Sequence, residues 1–329
     1  MGDFILLADK NSKSWEFAQK IQNYIQTQKE YTVPLEEVEV TRFRNGELGI
    51  HVPNNIRKKS VYFIHDSTKD PQQWWVELIL IKDLLLSSSA KNVSFVIPNL
   101  LYSRQDRKDR PRVPISARAL ADSISPGSER IITMDLHAGQ IQGFYPAHVP
   151  ADNLDSFPEL VRYLRTNHQD FLQNLVVVSP DVGAAGRSKK VLQHLEKAQK
   201  NDLVKNEFDF AIMNKTRSKA GEVGSVELVG NVEGKNVLIP DDIIDSGNTL
   251  CEEAKFLKTK GAKKLICYGT HGIFTKGTEE ICRSFDVVLT SNTHYQKSRE
   301  NIGVIDVSSI FAEAIYRAHL GLSISKLFE

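Results

Sequence analysis

Cysteine is scarce in this chain: Cys251, Cys267 and Cys282 are three among 329 residues. An odd, widely spaced set argues against a disulfide framework and against a CxxC metal site. It predicts a reducing, cytoplasmic setting and burial of all three thiols as small hydrophobes. A surplus of one charge is also missing. Lys plus Arg total 42 against 41 for Asp plus Glu, a net charge of +1, so nothing in the balance calls for nucleic acid or a membrane surface as partner, although a local basic patch can still bind phosphates. No apolar run approaches membrane-spanning length. The start, Met1-Gly2-Asp3-Phe4-Ile5-Leu6-Leu7-Ala8, has no basic segment ahead of a long apolar core, so no secretory signal is expected. Low-complexity tracts and short repeats are lacking too.

What is present is ordinary globular material, 41% hydrophobic and 25% charged, in a length that suits two domains. Short apolar runs alternate with helical patterns, which predicts an α/β class with largely parallel sheets. Strands are expected at 4–8, 38–43, 60–65, 93–98 and 131–136 in the first half. In the second half they are expected at 175–179, 208–213, 237–239, 264–268, 287–290 and 304–307. Each half therefore has its own sheet, with the crossing placed at Pro150 to Pro158. A helix from Gln72 to Ser87 is apolar nearly all round, so Trp74 and Trp75 read as core. Lys197 to Lys205 and Gln296 to Glu300 read as exposed turns.

The stretch from Val237 to Thr249 carries the clearest chemistry. It reads as a buried strand ending at Ile239, then Asp241, Asp242 and Asp245, then Ser246-Gly247-Asn248-Thr249 opening a helix whose buried face is Leu250, Ala254 and Leu257 and whose stop is Gly261. Free N–H groups at a helix start suit an anion. The carboxylates would repel that anion unless they held sugar hydroxyls or a bridging Mg²⁺. A plain helix cap by Asp245 or Ser246 accounts for the same residues.

Four more segments follow strand ends. Thr41 to Glu47 offers an aromatic, an amide and a carboxylate, or simply a hairpin on Asn45-Gly46. Ser103 to Arg112 is rich in guanidinium groups, which bind phosphate oxygens in pairs; the alternative is a solvated charged face. His137 lies at the end of an apolar strand, where ligands of α/β folds collect. Ser179 to Arg187 repeats the strand, Asp, small-residue loop and helix layout, with Asp181 suited to Mg²⁺ directly or through water. Met213 to Glu222 leaves a strand into a cationic loop able to close over a transferring phosphoryl group.

Together RQDRKDRPRVPISAR, DLHAGQIQGF, SPDVGAAGR and DDIIDSGNT resemble the ribose-phosphate pyrophosphokinase family, from about Val40 to Ser323-Ile324-Ser325-Lys326-Leu327-Phe328. The resemblance implies two phosphoribosyltransferase-like domains, 1–152 and 153–329, each a largely parallel sheet flanked by helices. It implies Mg²⁺, ATP as co-substrate, a cytoplasmic homo-oligomer that is usually a hexamer built from dimers, and transfer of the β,γ-diphosphoryl group of ATP to the 1-hydroxyl of ribose 5-phosphate. Carried over, Phe43, Asn45 and Glu47 contact adenine from a neighbouring subunit, and Arg104, Gln105 and Asp109 contact ATP. His137 and Asp181 lie at the Mg²⁺–ATP site, with His137, Lys215 and Arg217 counted as catalytic. Asp241 and Asp242 hold the ribose 2- and 3-hydroxyls, and Asp245 to Thr249, including Ser246, Gly247 and Asn248, form the 5-phosphate loop.

The chain departs from the family pattern in places. Asn248 and Ala184 stand where glycines are usual, Ala8 to Ser12 lacks a Ser-Gly turn, and Tyr145 to Pro150 is about two residues longer. These changes motivate a second expectation, the same transfer to a larger derivative such as ADP-ribose. A third is a non-catalytic regulatory subunit.

Overall fold

The computed structural model describes residues 4–200, 202, 206–215 and 226–328. Two compact units emerge. One holds the chain through Asp155, together with Thr293–Tyr295 and the segment from Val307 onward; the other holds Ser156–Asn292 and Gln296–Asp306.

The first unit contains β1 (Phe4–Asp9), α1 (Ser14–Gln28), β2 (Leu35–Arg42), β3 (Leu48–His51), β4 (Ser60–Ile64), α2 (Pro71–Ser87), β5 (Asn92–Val96), α3 (Ser116–Ile124), β6 (Arg130–Met134) and β7 (Ala151–Leu154). The second contains α4 (Phe157–Asn167), β8 (Leu175–Ser179), α5 (Ala185–Ala198), β9 (Phe208–Lys215), β10 (Val226–Val229), β11 (Asn236–Ile244), α6 (Asn248–Thr259), β12 (Lys264–Gly272), α7 (Glu279–Ser284), β13 (Val287–Ser291) and β14 (Ile302–Ile305). The last helix, α8 (Ser308–Leu320), packs against α1 in the first unit.

Each unit has one seven-stranded sheet, in the orders β3-β2-β1-β4-β5-β6-β7 and β10-β9-β8-β11-β12-β13-β14. The two orders are the same when strands are counted from the start of each unit. Among the described strands, β2–β3 and β9–β10 pair antiparallel and the other pairs are parallel. The inner strands β1, β4 and β8 are buried along their whole length, as expected when helices cover both faces of a parallel sheet. The order reverses between β1 and β4 in one sheet and between β8 and β11 in the other, which are the places where open α/β sheets bind ligands.

Most expected strands are present within a few residues. The strand expected to stop at Ile239 instead runs to Ile244, because β12 also continues beside it and pairs Asp241 with Gly269 and Ile244 with Gly272. A side-chain carbon on Gly269 would lie 2.3 Å from Ile244 Cγ1, so this close approach requires glycine. Pro240 cannot donate a ladder bond, and it lies just past the end of the β8 pairing at Leu238.

Three four-residue strands, β3, β7 and β10, were not anticipated. The first completes the Asn45-Gly46 hairpin. Lys197 and Ala198 close α5 rather than belong to a turn. Trp74 is fully buried, and Trp75 is half-buried with its indole N–H donated to Ser123 Oγ at 2.8 Å. Asp70 caps α2 by accepting from Gln72 N and Gln73 N. Cys251 and Cys267 are buried as expected, whereas Cys282, within the short helix α7, is half-exposed.

Candidate active site

In the second unit the switch point is occupied by the turns that follow β8 and β11. β8 ends at Ser179, and the turn to α5 is tied by Asp181, whose Oδ1 accepts the Ala184 N–H at 2.8 Å while Ser179 Oγ donates to Asp181 O at 2.7 Å. Ala184 adopts φ −83°, ψ −4°. An alanine is therefore unstrained at this position.

From the first turn of α5, Arg187 reaches the end of β11. Its Nη1 lies 2.9 Å from Asp241 Oδ1 and its Nη2 lies 2.9 Å from Asp242 Oδ1. Asp242 N–H also donates to Asp241 Oδ1 at 2.8 Å. One guanidinium thus serves two carboxylates. Burial and the neighbouring Asp242 carboxylate push Asp241 up to about 7, with Arg187 pulling the other way. Such a pair accepts hydrogen bonds readily, and two vicinal sugar hydroxyls would supply them.

Sequence reasoning had placed Arg187 only as the start of a helix. The signal was available: two adjacent aspartates at the end of a buried strand need a counter-charge, and Arg187 is the cation of the other small-residue loop at the same sheet edge.

The chain then turns through Asp245, Ser246 and Gly247. Asp245 Oδ1 accepts from Thr275 Oγ1 at 2.7 Å and its carbonyl accepts from Thr275 N at 3.0 Å, which fixes the carboxylate on the flank of the loop. Gly247 occupies the cap position of α6 with φ +75°. Of the two residues named by the helix-cap reading, Ser246 accepts from the helix start, through its Oγ. Asn248 and Thr249 are exposed at the first turn of α6, and Asn248 N–H points toward Ser246 Oγ at 3.4 Å. Gly247→Ala is expected to cost about 1–2 kcal/mol through the positive φ. Chemical denaturation measures this, and an unchanged midpoint would contradict it.

In the first unit the switch point is filled differently. Lys69 Nζ lies 2.8 Å from Asp9 Oδ2 and 2.8 Å from Glu77 Oε1, and Glu77 is fully buried. The candidate ATP residues instead follow β5. Tyr102 leads into them, its ring edge-to-face with Trp75 at 4.7 Å between centroids. Arg104, Gln105 and Asp109 are all exposed, and Gln105 is anchored by Ser116 Oγ and by Ala117 N–H on its carbonyl. Asp106 accepts from Gln140 Nε2 at 2.9 Å. That bond joins the arginine-rich segment to the turn after β6, where His137 is exposed.

Phe43, Asn45 and Glu47 form the tip of the β2–β3 hairpin. Phe43 is 60% exposed, its N–H donates to Glu47 O at 2.8 Å, and Asn45 Oδ1 accepts from Glu47 N at 3.2 Å. Lys215 ends β9. Arg217 lies outside the described residues, as does most of the cationic loop. Among the described residues no group of three or more His, Cys, Asp or Glu side chains is arranged to hold a metal.

Two sheets of the same order, one with an acidic strand that runs into a glycine-opened helix, define a pair of phosphoribosyltransferase-like domains. Residues 6–126 match the N-terminal domain of ribose phosphate pyrophosphokinase, and residues 197–329 match the phosphoribosyl synthetase-associated domain. The chain is 34% identical over 321 residues to ribose-phosphate pyrophosphokinase of Campylobacter jejuni, covering 96% of this chain and 97% of that one. It is 37% identical over 309 residues to ribose-phosphate pyrophosphokinase 4 of Saccharomyces cerevisiae, covering 92% and 90%. Phosphoribosylpyrophosphate synthetase from Mycobacterium smegmatis shares the whole architecture, with a TM-score of 0.82 at 27% identity over 97% of this chain and 99% of that one. The chain belongs to the ribose-phosphate pyrophosphokinase family of enzymes.

Proposed function

We propose that this enzyme transfers the β,γ-diphosphoryl group of ATP to the 1-hydroxyl of ribose 5-phosphate, giving phosphoribosyl pyrophosphate and AMP. The observation that carries the acceptor half is the Asp241–Asp242 pair held by Arg187 beside the Ser246–Thr249 loop. The carboxylates take the 2- and 3-hydroxyls, and the N–H groups opening α6 take the 5-phosphate, with Asp245 flanking the loop. Arg104, Gln105 and Asp109 bind ATP. Phe43, Asn45 and Glu47 supply an adenine contact to a neighbouring subunit, in keeping with an exposed aromatic at a hairpin tip.

The 1-hydroxyl oxygen attacks the β-phosphorus, the bond to the α-phosphate oxygen breaks, AMP leaves, and the hydroxyl proton passes to solvent. Lys215, Arg217 and His137 offset the charge that builds on the transferring group. Mg²⁺ neutralises and orients the phosphates when bound. Asp181 would offer the oxygen donor this ion prefers, directly or through water. A site with so few protein donors fits an ion carried mainly by ATP and water.

Free thiols support a cytoplasmic setting, and no described helix is long and apolar enough to cross a membrane. Val76, Ile79, Leu80 and Leu86 expose an apolar face of α2, which supports self-association into a homo-oligomer, a hexamer built from dimers. Incubation with Mg²⁺–ATP and either ribose 5-phosphate or ADP-ribose separates the acceptors. AMP release with ribose 5-phosphate is expected; release with ADP-ribose alone would overturn the assignment.

A further inference from the structure

The geometry points to Arg187 as a positioning residue for the acceptor: its two-armed guanidinium holds Asp241 and Asp242 side by side as a receiver for the vicinal hydroxyls of a furanose. The inference rests on the proposed reading of this site and adds to it the group that sets the shape of the hydroxyl-binding pair.

Adjacent residues in a strand ordinarily point to opposite faces, so two neighbouring aspartates do not share a partner by default. Here they do. One terminal nitrogen takes Asp241 Oδ1 and the other takes Asp242 Oδ1, each at 2.9 Å. A planar fork with fixed spacing can span two carboxylates in this way, whereas an ammonium is a point charge.

The three side chains are shielded, at 17% exposure for Arg187, 28% for Asp241 and 4% for Asp242, so their mutual fields are weakly screened. Arg187 also comes from a different element. It stands on α5, two residues into the helix that follows the Asp181 turn, while the carboxylates stand on β11. The orientation of the receiver is thereby fixed by the junction of strand and helix and not by the loop that follows.

Charge sets a second consequence. The groups acting on Asp241 are Asp242, which raises its proton affinity, and Arg187, which lowers it. Across the sheet Asp241 lies beside Gly269, and His271 lies beside Ile243. Without the guanidinium, one carboxyl keeps its proton to higher pH and accepts one hydrogen bond fewer from the sugar.

Binding of ribose 5-phosphate to the intact enzyme tests this, measured by titration calorimetry at pH 7, 8 and 9 together with steady-state KM values. Arg187→Gln is expected to weaken ribose 5-phosphate at least tenfold at pH 7, with the loss shrinking toward pH 9, while the KM for ATP changes less than twofold. Arg187→Lys restores the charge but not the fork, and should recover the pH dependence while remaining at least threefold weaker than the native protein.

Thermal melting checks that each variant folds. Should Arg187→Gln fail to fold, the lysine variant carries the test, and native affinity in it would overturn the inference. So would native affinity in Arg187→Gln at every pH, or an equal rise in both KM values. Failure of the native protein to bind ribose 5-phosphate would instead remove the acceptor assignment itself.

Discussion

Replacing Lys215 and Arg217 together with alanine is expected to lower kcat for AMP formation by at least about a thousandfold, because each preorganised cation or donor at a developing negative charge contributes on the order of 10²–10³. Phosphoryl transfer asks little covalent chemistry of a protein, so lost charge stabilisation falls almost wholly on the rate. Lys215 is the last residue of β9, and neither alanine removes an apolar side chain. The melting temperature should therefore stay within a degree or two of the native value. Rapid-quench measurement of AMP with saturating substrates reads the first expectation and calorimetry the second. Native turnover in the double variant would refute both residues' assignment.

Asp241→Asn is expected to separate stability from function. Burial and Asp242 raise the proton affinity of Asp241 in the folded state above that of the unfolded chain. A raised carboxyl contributes stability in its protonated form, which is fully present below the unfolded value. That contribution fades as pH climbs from about 4 in the unfolded chain through about 7 in the folded one.

Above neutrality the native protein therefore bears the cost of two adjacent carboxylates sharing one guanidinium. Asparagine removes the extra charge, still accepts from Arg187, and leaves Asp242 its partner. The variant should be about 1–2 kcal/mol more stable than the native protein at pH 8, less than the shift alone would imply because the side chain is partly solvated. Near pH 4.5 the difference should vanish. Ribose 5-phosphate should lose roughly a hundredfold in kcat/KM, the cost of one charged hydrogen bond to a hydroxyl. Urea denaturation at the two pH values gives the stability arm; a variant less stable than native at pH 8 would contradict the account of the pair.

Much of the architecture was legible because parallel strands buried on both faces announce themselves as apolar runs, and those around Phe4, Val61, Val93, Val176 and Val288 are all present. What escaped has physical reasons. Four-residue edge strands such as Leu48–His51 and Val226–Val229 carry too few residues for a period to show. The extension of β11 through Asp241 to Ile244 depends on β12 continuing beside it, a pairing between residues far apart in sequence. The return of α8 to the first unit is set by packing on α1, which no local pattern encodes.

The site behaved similarly. Its small-residue loop and acidic strand end were read directly, while the Arg187 fork that joins β11 to α5 needed the fold to bring residues 187 and 241 to one edge. The shared strand order of the two sheets likewise came only from the structure. It also shows that the first unit fills its switch point with Lys69, Asp9 and Glu77, whereas the second pairs Asp241 and Asp242 with Arg187.

The central claim, transfer of an intact diphosphoryl group to the sugar C1 oxygen, is tested most directly by ³¹P NMR of a complete reaction with Mg²⁺, ATP and ribose 5-phosphate. The account predicts that the ATP resonances give way to AMP and to a product bearing two coupled diphosphate signals together with an unchanged 5-phosphate monoester. Accumulation of ADP with a singly phosphorylated C1, or no consumption of ATP in the presence of ribose 5-phosphate, would contradict it.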